Sequence, residues 1–176
     1  MLPVIADFDG DGDADVSIAD GDGVYVFAGT GGLLWDAPVA DSTCCPGITA
    51  FDFEGDGGYE LLLHDFGSIY MYRGDTGQNL YTAQRTNPTN FEIPIIADID
   101  NDRQAEIVVA LYDEFGSSGG IIAYSNVGDN WVAAPRIWNQ QAYHVTNVTE
   151  SGAIPRVPTP IPQAPAVFRA TTAACQ

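Results

Sequence analysis

Basic residues are scarce in this chain. Six stand against 24 acids among 176 residues, leaving a formal charge of −18. That balance argues against nucleic acid and an anionic membrane surface as partners and favours a cationic one. Long apolar runs are missing too. No stretch approaches the roughly 18 consecutive apolar residues of a membrane span, so no membrane insertion is expected. The opening residues, "MLPVIADFDG", have neither the basic region nor the apolar core of a secretion signal. Either the protein stays inside the cell or its precursor begins further upstream. Cysteine is limited to the adjacent Cys44 and Cys45 and to Cys175, which allows at most one disulfide and leaves one thiol over. A link from Cys175 to one of the pair, and buried free thiols, both stay open. No CxxC or Cys/His ligand spacing accompanies them, which argues against a zinc site. Helical periodicity is lacking as well.

What is present is a repeat. "PVIADFDGDGDADVSI" from Pro3, "ITAFDFEGDGGYELLL" from Ile48 and "PIIADIDNDRQAEIVV" from Pro94 align, with their first loop acids 45 and 46 residues apart. The alignment continues through "VYVFAGTGGLLW", "IYMYRGDTGQNLY" and "IIAYSNVGDNWV". Each repeat reads as four short strands: one entering the acidic loop, one leaving it, then a hairpin closed by glycine-containing turns. Four strands in about 45 residues is the size of a propeller blade, and blades stack because one alone cannot bury its apolar surface. The expected fold is therefore all-β: three four-stranded propeller-type blades over about 1–45, 46–92 and 93–134, then an irregular segment and extended tail over 135–176. The proline-rich "PRVPTPIPQAP" favours polyproline II. That tail either folds back as an irregular fourth element or reaches onto another molecule.

Two carboxylates about 5 Å apart repel by roughly 3 kcal/mol at an effective dielectric near 20. Several in one loop therefore call for a cation. Acids at positions 1, 3 and 5 of a tight loop converge on a point, a carbonyl adds a ligand at 7, and an acid at 9 closes the site. In the first loop these positions are Asp7, Asp9, Asp11, Asp13 and Asp15; in the second, Asp52, Glu54, Asp56, Gly58 and Glu60; in the third, Asp98, Asp100, Asp102, Gln104 and Glu106. Hard, charged oxygen donors suit Ca²⁺ rather than zinc or copper, so about three Ca²⁺ sites are expected. Gly12 and Gly57 supply the sharp turn, but the third loop has Arg103 there, at a cost of about 1 to 2 kcal/mol for a left-handed residue. The third site should be the weakest. The loops hold 13 of the 24 acids, so three Ca²⁺ would bring −18 to −12.

These loops, recurring between short strands at blade length over residues 3 to about 134, resemble the FG-GAP/VCBS repeats of the integrin α-subunit propeller type. "RIWNQQAYHVTNV" is similar to the end of bacterial extracellular proteins that carry such repeats. The resemblance implies a calcium-binding blade whose ligands are the acids at positions 1, 3, 5 and 9 named above. The integrin propellers have seven blades, against three here.

Other motifs read as structural. Arg73-Gly74-Asp75 spells an integrin-binding tripeptide but falls on a hairpin turn that explains its glycine. His64 and His144 have no nucleophile motif beside them, and the paired acids are already accounted for as metal ligands rather than as a glycosidase pair. Catalysis is not expected. Trp35, Tyr81 and Trp131 end corresponding strands and should pack between blades, with stacking on sugar rings as the alternative. Asn147 begins "NVT", a glycosylation acceptor pattern in a secreted protein. The reading is an extracellular or cell-surface Ca²⁺-binding interaction module, associating with copies of itself through uncovered blade faces into an oligomer or fibre. Other surface proteins or glycans are further candidate partners. The alternative is a fragment of a larger adhesin, or the accessory, carbohydrate-binding module of a secreted enzyme.

Overall fold

The computed structural model describes residues 3–41, 45–84, 92–111, 119–128, 130–140, 143–144, 146–149, 151–157 and 170–171. Among the described residues there is no helix, and so none long and apolar enough to cross a membrane. Three sheets are present.

The first sheet is an antiparallel meander of β1 (Val4–Ala6), β2 (Asp15–Ala19), β3 (Gly23–Phe27) and β4 (Leu33–Pro38). The middle sheet repeats it with β5 (Gly47–Phe51), β6 (Glu60–His64), β7 (Ser68–Tyr72) and β8 (Asn79–Gln84). The third is formed by β9 (Ile95–Ala97), β10 (Glu106–Leu111) and β11 (Gly120–Tyr124). Short strands rich in β-branched and aromatic residues, cut by glycine and aspartate turns, form such meanders because each turn suits only adjacent antiparallel partners.

The middle sheet is buried on both sides. Every residue of β5 and β6 is buried, which strands achieve only between two layers. Ala50, Leu61, Leu63 and Tyr72 share one face and pack under Val4, Ala6, Val24, Val26 and Trp35 of the first sheet. Phe51, Leu62, Ile69 and Met71 share the other and pack on Ile96, Ile107 and Val109 of the third. Two apolar cores thus lie on either side of one sheet, and the three sheets form a stack. Call the side of each sheet that faces up the chain its front: first front meets middle back, and middle front meets third back.

Two features depart from the expected organisation. The third repeat makes no fourth strand at "NWV". Val132 instead donates its N–H to the carbonyl of Phe53, and Pro135 accepts from Asp98 N–H. The segment therefore crosses the mouths of the second and third loops rather than running beside β11, because Trp131 and Val132 find their apolar partners at Phe53. A twelfth strand, β12 (Ala170–Thr171), pairs parallel to β5 with Ala170 opposite Ala50, so the late chain does fold back, as a fifth strand of the middle sheet. No closed ring forms among the described residues. The proline-rich stretch beyond residue 157, Cys44 and Cys175 lie outside them, and with them the expected tail conformation and the choice between a disulfide and free thiols; Cys45 is half-buried.

Candidate metal centre

Each acidic loop joins the first two strands of its sheet, so all three open along one edge of the stack. The loops are built alike. In the first, Asp7 Oδ1 accepts from Gly10 and Asp11 N–H at 2.8 and 3.1 Å, and Oδ2 from Gly12 N–H at 2.8 Å. Asp52 does the same with Gly55, Asp56 and Gly57 at 2.7, 3.0 and 3.0 Å. Asp98 receives Asn101 and Arg103 at 2.6 and 3.3 Å. The first acid is therefore the hub around which the backbone curls, a role beyond that of ligand. The acid at position 9 staples the loop entry: Asp15, Glu60 and Glu106 accept from the N–H of Phe8, Phe53 and Ile99 at 2.8, 3.0 and 2.9 Å. The acid at position 5 fixes the peptide of position 7, since Asp11, Asp56 and Asp102 accept from Asp13, Gly58 and Gln104 N–H at 2.8, 3.0 and 2.8 Å.

The curl takes two left-handed residues per loop, at positions 4 and 6: Gly10 and Gly12, Gly55 and Gly57, Asn101 and Arg103. Position 6 was expected from the sequence; position 4 was not, although glycine recurs there in two loops. Arg103, at φ 73°, bears the strain predicted for it.

The side chains converge to different degrees. Asp7, Asp9 and Asp15 each place an oxygen within 4.8 Å of the others, as do Asp98, Asp100 and Glu106. The carboxylates of Asp11, Asp13 and Asp102 stand outside these triads. No such triad gathers among the carboxylates of Asp52, Glu54, Asp56 and Glu60. There the buried Glu60 feels the charges of Glu54 and Asp52, while its Oε2 stays on the N–H of Phe53.

Burial and mutual repulsion raise the affinity of these groups for protons. Glu60 is pushed up to about 8, chiefly by burial and further by the charges of Glu54 and Asp52, against the N–H of Phe53. Asp7 and Asp9 are raised by loss of solvent and by neighbouring Asp11 and Asp15, opposed by the loop N–H donors. Glu106 is raised by burial, with Asp98, Asp100 and Asp102 adding to it. Its Oε1 is sealed from water and has no hydrogen-bond partner. A buried carboxylate oxygen facing two more carboxylates without a donor is costly unless a cation or proton completes it. The donors are all oxygens, as a hard divalent cation requires, and the three residues present fit Ca²⁺ as part of a six- to eight-oxygen shell.

The first two loops are tied together. Tyr59 N–H donates to Asp7 carbonyl at 3.0 Å, and the phenol of Tyr59 is raised by burial and by the charges of Asp52 and Asp7 on either side. A cleft of about 230 Å³ lies between the loops, bounded by Asp9, Asp56, Glu60 and the turn at Arg73 and Asp75. The Arg-Gly-Asp tripeptide sits in the turn from β7 to β8. Arg73 Nε pairs with Asp75 at 3.0 Å, and buried Gly74 accepts from the indole N–H of Trp35. A side chain on Gly74 would collide with the backbone of Phe8 and Tyr59, so this glycine is where the first loop rests on the middle sheet. Only the glycine itself marks that contact in the sequence.

The remaining candidates fall as follows. Trp35 is buried beside Tyr72 and Trp131 lies on Phe53 at 4.5 Å between ring centres, whereas Tyr81 is exposed, with its edge toward Tyr124 at 6.5 Å. His64 is buried and held neutral by that burial, against the charges of Asp65 and Asp41. The ring Nδ1 of His144 pairs with the Thr146 hydroxyl at 3.0 Å, and its backbone N–H donates to Asn147 Oδ1 at 3.0 Å.

No family profile matches the chain, and no curated protein does. Among solved structures, the chain is similar to the V. cholerae biofilm matrix protein Bap1, with a TM-score of 0.84 and 26% identity over 92% of this chain. The match covers 28% of that chain, so this sequence spans under a third of the protein it resembles.

Proposed function

We propose that this chain is a calcium-clamped structural module of an extracellular matrix, built of FG-GAP/VCBS-type propeller blades, without catalytic activity, and self-associating through its outer sheet faces. The observation that carries the reading is the same acid loop placed three times between the first two strands of stacked sheets, with a partnerless buried oxygen on Glu106. Calcium acts there as a staple. Binding only to folded loops adds RT ln(1 + [Ca²⁺]/Kd), about 2.7 kcal/mol per site at a hundredfold excess over Kd. Charge-rich, solvent-open sites of this kind fill where calcium is abundant, outside cells. The likeness to a biofilm matrix protein supports the same location and a structural or adhesive role.

Thermal melts test the metal. The midpoint should rise with added Ca²⁺ and fall again on chelation, and Asp9→Ala should shrink the rise while leaving the metal-free midpoint unchanged or higher, because Asp9 contributes one exposed loop hydrogen bond and much repulsion. A wild-type midpoint indifferent to Ca²⁺ would remove the staple. A second reading draws on the 28% coverage of Bap1: the chain is one part of a longer adhesin or the accessory module of a secreted enzyme, with surface proteins or glycans as ligands.

A further inference from the structure

Inside the molecule one kind of contact is made twice. The front of the first sheet lies on the back of the middle sheet, and the front of the middle sheet lies on the back of the third. At each contact the residue after the first loop acid plugs the junction: Phe8 in one and Phe53 in the other, both buried. The front of the third sheet has the same equipment, and away from the loop it is exposed among the described residues. Ile99, at the position of Phe8 and Phe53, is 51% exposed, and Ile121, opposite Ala110 on that face, is 77% exposed. The first sheet presents the other half. On its back Val16 and Ile18 are each 36% exposed and Leu33 51%. By the 45-residue spacing, Val16 and Ile18 stand where Leu61 and Leu63 stand in the middle sheet, under a neighbour's core. The seat for the plug is also there, because Gly29 occupies the repeat position of Gly74, where the backbone of Phe8 rests.

We propose that the chain binds a second copy of itself head to tail, with the front of its third sheet (Val108, Ile121 and the Ile99 plug) on the back of the next copy's first sheet (Val16, Ile18, Leu33). This rests on the stacking module of the proposed function. The internal contact is then made a third time, between molecules. A partner that repeats the internal contact presents a back to the third sheet or a front to the first, and this chain presents both. Front and back are different surfaces, so the contact is heterologous and does not stop at two copies. Copies add until a ring closes or a fibre runs on, with the acid loops aligned along one edge.

Sizing by light scattering in Ca²⁺ tests this with one blocked face at a time. Ile121→Asp blocks the front and Ile18→Asp the back; Ala110→Asp and Val16→Asp repeat the two blocks at second positions, and each variant is admitted only if it melts in Ca²⁺ like the wild type. Wild type should run as multiples of the chain. Each blocked variant alone should run as a monomer, and an equal mixture of a front and a back variant should give one-to-one dimers and nothing larger, since each lends its intact face. If one variant is monomeric while the other assembles as the wild type does, a face meets its own kind; the head-to-tail mode is overturned and self-association stands. A mixture that stays monomeric also overturns it. A monomeric wild type in Ca²⁺ overturns self-association as well, and gives the faces to other segments or partners, while the melts still judge the metal separately.

Discussion

Arg103 holds a backbone conformation that the other two loops give to glycine, at φ 73° against 92° for Gly12 and 97° for Gly57. The penalty for a side chain there is about 1 to 2 kcal/mol, part of which glycine gives back in unfolded-state entropy. Arg103→Gly should therefore raise stability in Ca²⁺ by about 1 kcal/mol, or about 2 to 4 °C, and tighten binding at the third loop in a calorimetric titration; a lower midpoint would show that the guanidinium does something the loop needs. Glu60 makes a pH prediction. Its proton is held up to about pH 8 in the fold and only near 4.5 when unfolded, so the native state binds more protons between those values, and metal-free stability is greatest below that window and falls as pH rises through it. Ca²⁺ must displace the proton. Binding near pH 7 should release it, measurable as a heat that depends on the buffer's ionisation enthalpy, and Glu60→Gln should flatten the metal-free slope. At this scale the sequence was informative about which acids share a loop, because 1-3-5-7-9 spacing is local. It was silent on their orientation: Glu60 lies beside Glu54, and Asp11 and Asp102 fix peptides, because hydrogen bonds that spacing does not encode compete for the same oxygens.

Strands were legible where alternation and turns agree, as in "DVSIA", which is β2 residue for residue. The misread element was "NWV". Its apolar residues suit a strand, but Trp131 and Val132 gain more against Phe53 than beside β11, a tertiary preference that no local pattern reveals. Gly74 is the contact between elements most open to test. Gly74→Ala drives a methyl into the backbone of Phe8 and Tyr59, with no flexible side chain to give way, and should cost about 3 kcal/mol. Gly32→Ala, in the corresponding hairpin of the first sheet and with open space around it, should be close to neutral or slightly stabilising. Equal midpoints for the two variants would mean that the first loop does not rest on the middle sheet as described.

The stack as a whole follows from the repeat. A sheet with both faces apolar needs a neighbour on each, and the middle sheet's uninterrupted burial in β5 and β6 has its local sign in the three consecutive leucines Leu61–Leu63. The closing strand was not readable, for the pairing of Ala170 with Ala50 joins residues 120 apart. That pairing has a kinetic consequence. The hairpins and acid loops close over short spans and form early, whereas bringing β12 to β5 must wait until nearly all of the intervening chain is in place, at a loop-closure cost that rises with separation. Until then the open edge of β5 offers unpaired N–H and C=O groups to any passing strand. A nascent chain is thus most prone to mispair in the interval between finishing its sheets and receiving its last strand.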